Sequence, residues 1–169
     1  MMEKISWTCK HFNDLTNQEL YEILRLRNEV FIVEQNCPYQ DLDRKDLKSF
    51  HLWGHTPLSS RRGVGGEVIA YARILPPDIS YKEVSIGRVV TSKSARRTGA
   101  GKLLMEKSLE VIREKFGKVP VRIGAQAYLQ KFYESFGFVR EGDEYDEDGI
   151  PHIIMVYKPS KKSIILENA

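Results

Sequence analysis

The stretch Arg96-Arg97-Thr98-Gly99-Ala100-Gly101-Lys102 stands between a run that reads as a strand and a run that reads as a helix, and that position matters more than its composition. Upstream, Val84 to Val90 is apolar enough for a strand and leads directly into Thr91-Ser92-Lys93-Ser94-Ala95. Downstream, Met105, Leu109, Ile112 and Phe116 recur on one helical face, and Gly117 supplies a stop signal. The first N–H groups of a helix have no intrahelical partner, glycines let a backbone come close to a phosphate, and the aligned peptide dipoles add partial positive charge. A pyrophosphate fits such a loop, with Arg96, Arg97 and Lys102 able to add charge-assisted contacts. A glycine-rich helix entry with solvated arginines has the same spacing, so spacing alone leaves both readings open.

Two other phosphate motifs fail on this stretch. The P-loop needs glycine where Arg96 stands and Ser or Thr where Leu103 stands, and the dinucleotide fingerprint needs a glycine where Leu104 stands.

Outward from the loop, the chain reads as strand, helix, three strands, helix, strand, helix, two strands. Residues 5 to 12 form the first strand. Thr16 to Glu19 fits a capping box, and Leu20, Ile23, Leu24 and Phe31 give the following helix one apolar face as far as Val33. Glu34 to Asp43 lacks any such period and carries Pro38, which makes it a loop. His51 to Thr56 and Val68 to Ile74 are strands joined through the glycines of Arg61 to Gly66. Val119 to Ala125 is a strand, Tyr128 to Phe136 a short helix capped by Gly137, and the acidic turn around Asp146 to Gly149 joins the last two strands. This order predicts a mixed α/β (α+β) domain over residues 1–158, with a mostly antiparallel central sheet flanked by helices, followed by a polar tail over 159–169.

Bulk properties narrow the partners. With 169 residues, 41% hydrophobic and 29% charged, the chain has the makings of an ordinary core, and no apolar run approaches the roughly 20 residues of a bilayer span. A net charge of +3 suits a small anionic ligand better than a nucleic-acid surface. Cys9 and Cys37 have neither disulfide density nor zinc spacing and read as free thiols. The N-terminus carries no export signature, which makes the cytoplasm the default. The paired basic residues Arg61-Arg62 read as solvated, and neither nucleic acid, membrane nor metal is expected.

Three features fall in the order of the GCN5-related N-acetyltransferase family, which this chain resembles from about residue 5 to 157. Arg96 to Gly101 is similar to that family's R/Q-x-x-G-x-G/A loop, preceded by a strand ending Gly87-Arg88-Val89-Val90. Phe132-Tyr133-Glu134-Ser135-Phe136-Gly137-Phe138 resembles its later helix, with a tyrosine four residues before the Gly-Phe pair. Val33 to Asp41, Gly124-Ala125-Gln126-Ala127 and Asp148-Gly149-Ile150-Pro151-His152 resemble the ElaA-type branch.

The resemblance implies acetyl-CoA as cosubstrate, a primary amine on a small molecule or peptide as acceptor, and direct attack in a ternary complex without a metal. It implies that Val89 and Val90 pair with the pantetheine arm and that the amides of Arg96, Arg97, Thr98, Gly99, Ala100, Gly101 and Lys102 hold the pyrophosphate. Gln126 stands where many relatives carry an asparagine near the arm. Tyr133 matches the general acid that returns a proton to the CoA thiolate, against a plainer reading as a core aromatic beside Leu129 and Phe136. An amine of ordinary pKa must lose a proton before it attacks, and Glu34, Asp41 and His152 are the candidates to take it. Each has a plainer reading as well: a residue after a helix end, a turn cap and a strand histidine. A noncatalytic acyl-CoA-binding module remains the alternative function, and free sheet edges leave a homodimer open.

Overall fold

A computed structural model describes residues 4–56 and 66–160. The glycine-rich connection around Arg61 to Gly65 and the tail from Lys161 onward lie outside the described residues.

Strand β1 (Ser6–His11) and helix α1 (Asn17–Arg27) are separated by a single 3₁₀ turn. The helix starts where the capping box predicts: Thr16 Oγ1 accepts from the Glu19 N–H at 3.1 Å while the Glu19 carboxylate accepts from the Thr16 N–H at 2.9 Å. The expected continuation to Val33 is helical but not α. Asn28–Glu34 winds as a π-helix, closed by the Gln35 N–H on the Val30 carbonyl. Such widened turns are rare and often mark functional sites.

Strands β2 (Phe50–His55), β3 (Val68–Leu75) and β4 (Val84–Thr91) follow, then helix α2 (Ala100–Phe116) and β5 (Val121–Gln126). The predicted helix over 128–136 divides into a 3₁₀ turn, Ala127–Leu129, and the short α3 (Gln130–Glu134). Strands β6 (Phe138–Glu147) and β7 (Ile150–Tyr157) close the chain as a hairpin. A 3₁₀ turn at Lys45–Lys48 has no counterpart in the sequence reading, since its anchor is the tertiary contact of Asp46 with Arg27.

The seven strands form one sheet in the order β1-β2-β3-β4-β5-β7-β6. All neighbouring pairs are antiparallel except β4 with β5. Every residue of β3 is buried, as a strand covered on both faces requires. On one face Ala70, Ala72, Ile74 and Ile86 pack under Leu104, Met105 and Ile112 of α2. On the other, Tyr71 and Val90 pack with Ile23, Leu26 and Val30 of α1 and its π-helical extension. No described helix is long and apolar enough to cross a membrane.

Candidate active site

Strands β4 and β5 are bonded only at their beginnings, Val84 with Val121 and Ser85 with Arg122, although β4 continues to Thr91 and β5 to Gln126. Beyond Ser85 the pair separates, and a cleft of about 960 Å³ opens between the two strands. A parted pair leaves main-chain N–H and C=O groups that an extended ligand can satisfy as an added strand would. Beside the opening, β4 carries a bulge. Tyr71 pairs with Val90 and Arg73 with Gly87, so Ala72 alone faces both Arg88 and Val89. Arg88 has φ 50, and among the described non-glycine residues with positive φ it is the one inside a strand. A bulge leaves the extra residue out of the ladder and turns the strand.

At one end of the cleft lies the loop that the sequence singles out. Arg97 at φ 62 and Gly99 at φ 89 turn the chain into α2. The Leu103 N–H is bonded to the Gly99 carbonyl at 3.1 Å, so the amides of Ala100, Gly101 and Lys102 precede the first intrahelical bond. A Cβ on Gly101 would stand 3.8 Å from Phe132 Cζ and 3.9 Å from Thr91 Cγ2, so protein packing by itself does not demand glycine there. Arg96, Arg97, Gly99, Gly101 and Lys102 line the cleft; Thr98 and Ala100 do not. The Thr98 hydroxyl donates to the Ala95 carbonyl at 2.6 Å, and Ala100 is fully buried, which leaves their main chain as the part able to meet a ligand. Lys102 is exposed and only loosely paired with Glu106, at 3.9 Å.

The three candidate proton acceptors have different surroundings. Glu34, at the end of the π-helix, forms a two-pronged ion pair with Arg96, its Oε2 accepting from Nη2 at 3.0 Å. That hydrogen bond holds the Glu34 carboxyl below its ordinary range. Asp41 does not line the cleft: Oδ2 accepts from Arg27 Nε at 3.0 Å, and Oδ1 accepts from Arg88 Nε at 2.7 Å and from the Tyr39 hydroxyl at 3.1 Å. His152 lines the cleft opposite Gln126 in the β5–β7 register. Its Nδ1 is 2.7 Å from the Ile150 carbonyl and its Nε2 is 3.5 Å from Glu147 Oε2. A carbonyl can only accept, so Nδ1 carries a proton and Nε2 is the ring nitrogen left to exchange one.

Tyr133 of α3 also lines the cleft, 6% exposed, with edge contacts to Phe132 and Phe138. Tyr133 is thus a packed aromatic whose surface also reaches the cleft. Burial pushes its hydroxyl well above the ordinary tyrosine range, which keeps it protonated at neutral pH. Val89, Val90 and Gln126 line the same cleft. The sequence reading passed over Arg88, Tyr81 and Tyr145. Gly124 is glycine for Tyr81 and Tyr145: a Cβ there would lie 3.1 and 2.8 Å from their hydroxyls. A charged residue inside the apolar run Val84 to Val90 was the signal for Arg88.

An antiparallel sheet with one parted parallel pair, a bulge at the parting and unpaired helix amides beside it define an acyl-CoA-dependent N-acyltransferase scaffold. The acetyltransferase (GNAT) domain matches residues 63–159, and the chain belongs to this family. Within it the chain is 45% identical to protein ElaA of Escherichia coli over 153 residues, 89% of this chain and 95% of that protein. The crystal structure of Escherichia coli ElaA superposes with a TM-score of 0.81 at 43% identity, over 92% of this chain and 100% of that one. An acyl-CoA N-acyltransferase from Pseudomonas aeruginosa superposes with a TM-score of 0.82 at 45% identity, over 91% of this chain and 99% of that one.

Proposed function

We propose that this chain transfers an acetyl group from acetyl-CoA to a primary amine by direct attack within a ternary complex. The observation that carries the reading is the parting of β4 from β5 after Ser85 and Arg122, with the bulge of β4 and the free amides of α2 on the same cleft. The amides of the Arg96–Lys102 loop hold the pyrophosphate and the α2 dipole supports them, while Arg97 and Lys102 add charge from the side. Arg96 is engaged by Glu34, so the grip rests on the backbone more than on that guanidinium. Val89 and Val90 pair with the pantetheine arm, and Gln126 faces it from β5.

His152 is the group we assign to take the amine proton, since Glu34 and Asp41 spend their carboxylates on arginines. Glu147, with Oε2 3.5 Å from Nε2, stabilises the imidazolium that forms. The freed amine attacks the thioester carbon, forming the C–N bond and a tetrahedral oxyanion that a main-chain N–H of the bulge steadies. As this intermediate collapses the C–S bond breaks, Tyr133 donates its proton to the departing sulfur, and the proton that the amide nitrogen sheds passes through water to restore the phenol.

Calorimetric titration with acetyl-CoA and with CoA tests the cofactor site, using the wild type and a variant in which Gly99 and Gly101 are both bulky. Binding by the wild type that the double variant loses while keeping its fold supports the reading and justifies a screen of amines for thiol release. No binding by the wild type overturns it. Binding without turnover on any amine favours a noncatalytic acyl-CoA-binding module.

A further inference from the structure

Arg88 is held in a conformation its side chain would not choose. Left-handed backbone is uncommon for a residue with a long side chain and persists where surrounding contacts over-determine it. Arg88 Nε donates to Asp41 Oδ1 at 2.7 Å and Nη2 donates to the Asp41 carbonyl at 3.0 Å, while the guanidinium lies 5.5 Å from the centre of the Tyr39 ring. Asp41 is itself fixed from behind by the fully buried Arg27. One end of this chain of contacts is anchored in α1 and the other sets φ 50 at the bulge of β4.

We propose that Asp41 and Arg88 form a positioning pair: the clamp on the Arg88 guanidinium holds the Arg88 backbone left-handed and so presents the unpaired amide of the β4 bulge to the thioester carbonyl. The proposal rests on the acyl-CoA reading of the cleft. It gives Asp41 a role in the reaction that requires no contact with substrate, and it explains why a loop without periodicity, Glu34 to Asp43, is tied to the centre of the sheet.

Two substitutions separate the side chain from the backbone. Arg88→Ala removes the clamp and leaves a residue that pays to stay left-handed; Arg88→Gly removes the same clamp but adopts that conformation freely. Asp41 keeps its bond to Arg27 in both, so its burial affects the two variants alike. The probe is acetyl-CoA labelled with carbon-13 at the thioester carbonyl, read by its bound-state chemical shift and by titration, with a melting curve for each variant. Wild type and Arg88→Gly should share a downfield carbonyl shift and bind within about threefold of each other, while Arg88→Ala should bind about tenfold more weakly, ~1.4 kcal/mol, with a carbonyl nearer its free position. Equal losses in both variants would make Arg88 a direct substrate contact and overturn the proposal, as would wild-type behaviour of Arg88→Ala or loss of fold in both. If the wild type itself fails to bind acetyl-CoA, the acyl-CoA reading falls and takes the proposal with it, an outcome distinct from the others.

Discussion

Tyr133 combines two demands on one side chain. Its ring packs between Phe132 and Phe138, and the burial that results holds the phenol protonated, as the proposed role of proton donor to the leaving thiolate requires. Tyr133→Phe deletes the oxygen and keeps the ring. Its kcat should fall about 100-fold, with acetyl-CoA affinity within about threefold and the melting temperature unchanged or higher. An unchanged kcat with intact binding would return Tyr133 to packing alone. The residue was legible in sequence because its spacing to Gly137-Phe138 is local. Glu34 was legible as an acid in the right loop, but its employment was not, since the arginine that takes it stands 62 positions later.

At the scale of elements, the N-terminus of α2 separates what glycine does for folding from what it does for binding. Gly99 sits at φ 89, so Gly99→Ala should destabilise the fold by about 1 kcal/mol. Gly101 lies in the first turn of the helix with room for a methyl, so Gly101→Ala should leave stability unchanged or raise it by about 0.5 kcal/mol. Both should weaken acetyl-CoA binding, because each puts a Cβ where a phosphate must approach the amides. Thermal unfolding beside titration checks this, and equal binding by Gly101→Ala would show that no phosphate comes close to Gly101. The strand, the helix and the glycines between them could be read from periodicity. The π-helical end of α1 could not, because it obeys no simple spacing; its Val30 packs with Val68, Tyr71 and Val90 of β3 and β4.

Across the whole molecule, an ionic network joins elements distant in sequence: Arg27 with Asp41 and Asp46, Arg73 with Asp43 and Asp46, and Arg88 with Asp41 and Asp43. Burial pushes the Asp43 carboxyl up, but Arg73 and Arg88 outweigh it and hold it at about 2, and Asp46 is lowered in the same sense. A carboxyl depressed in the folded state adds stability above its ordinary pKa of about 4 and loses it as pH falls through the folded value. The melting temperature of the wild type should therefore drop between pH 4 and pH 2, and Asp43→Asn should start lower at neutral pH and fall less over that window. Parallel curves for the two proteins would show that this carboxylate is not coupled to folding. The sequence by itself determined the order of the main strands and helices, the mixed sheet, the glycine-rich entry to α2 and the place of Tyr133 before Gly137-Phe138, since each is encoded by residues close together in the chain. Only the tertiary structure decided where β4 leaves β5, that Arg88 lies at positive φ with its guanidinium on Asp41, and that Glu34 and Asp41 are paired with arginines while His152 lines the cleft. Those outcomes depend on charges and strand registers that meet only after the chain has folded.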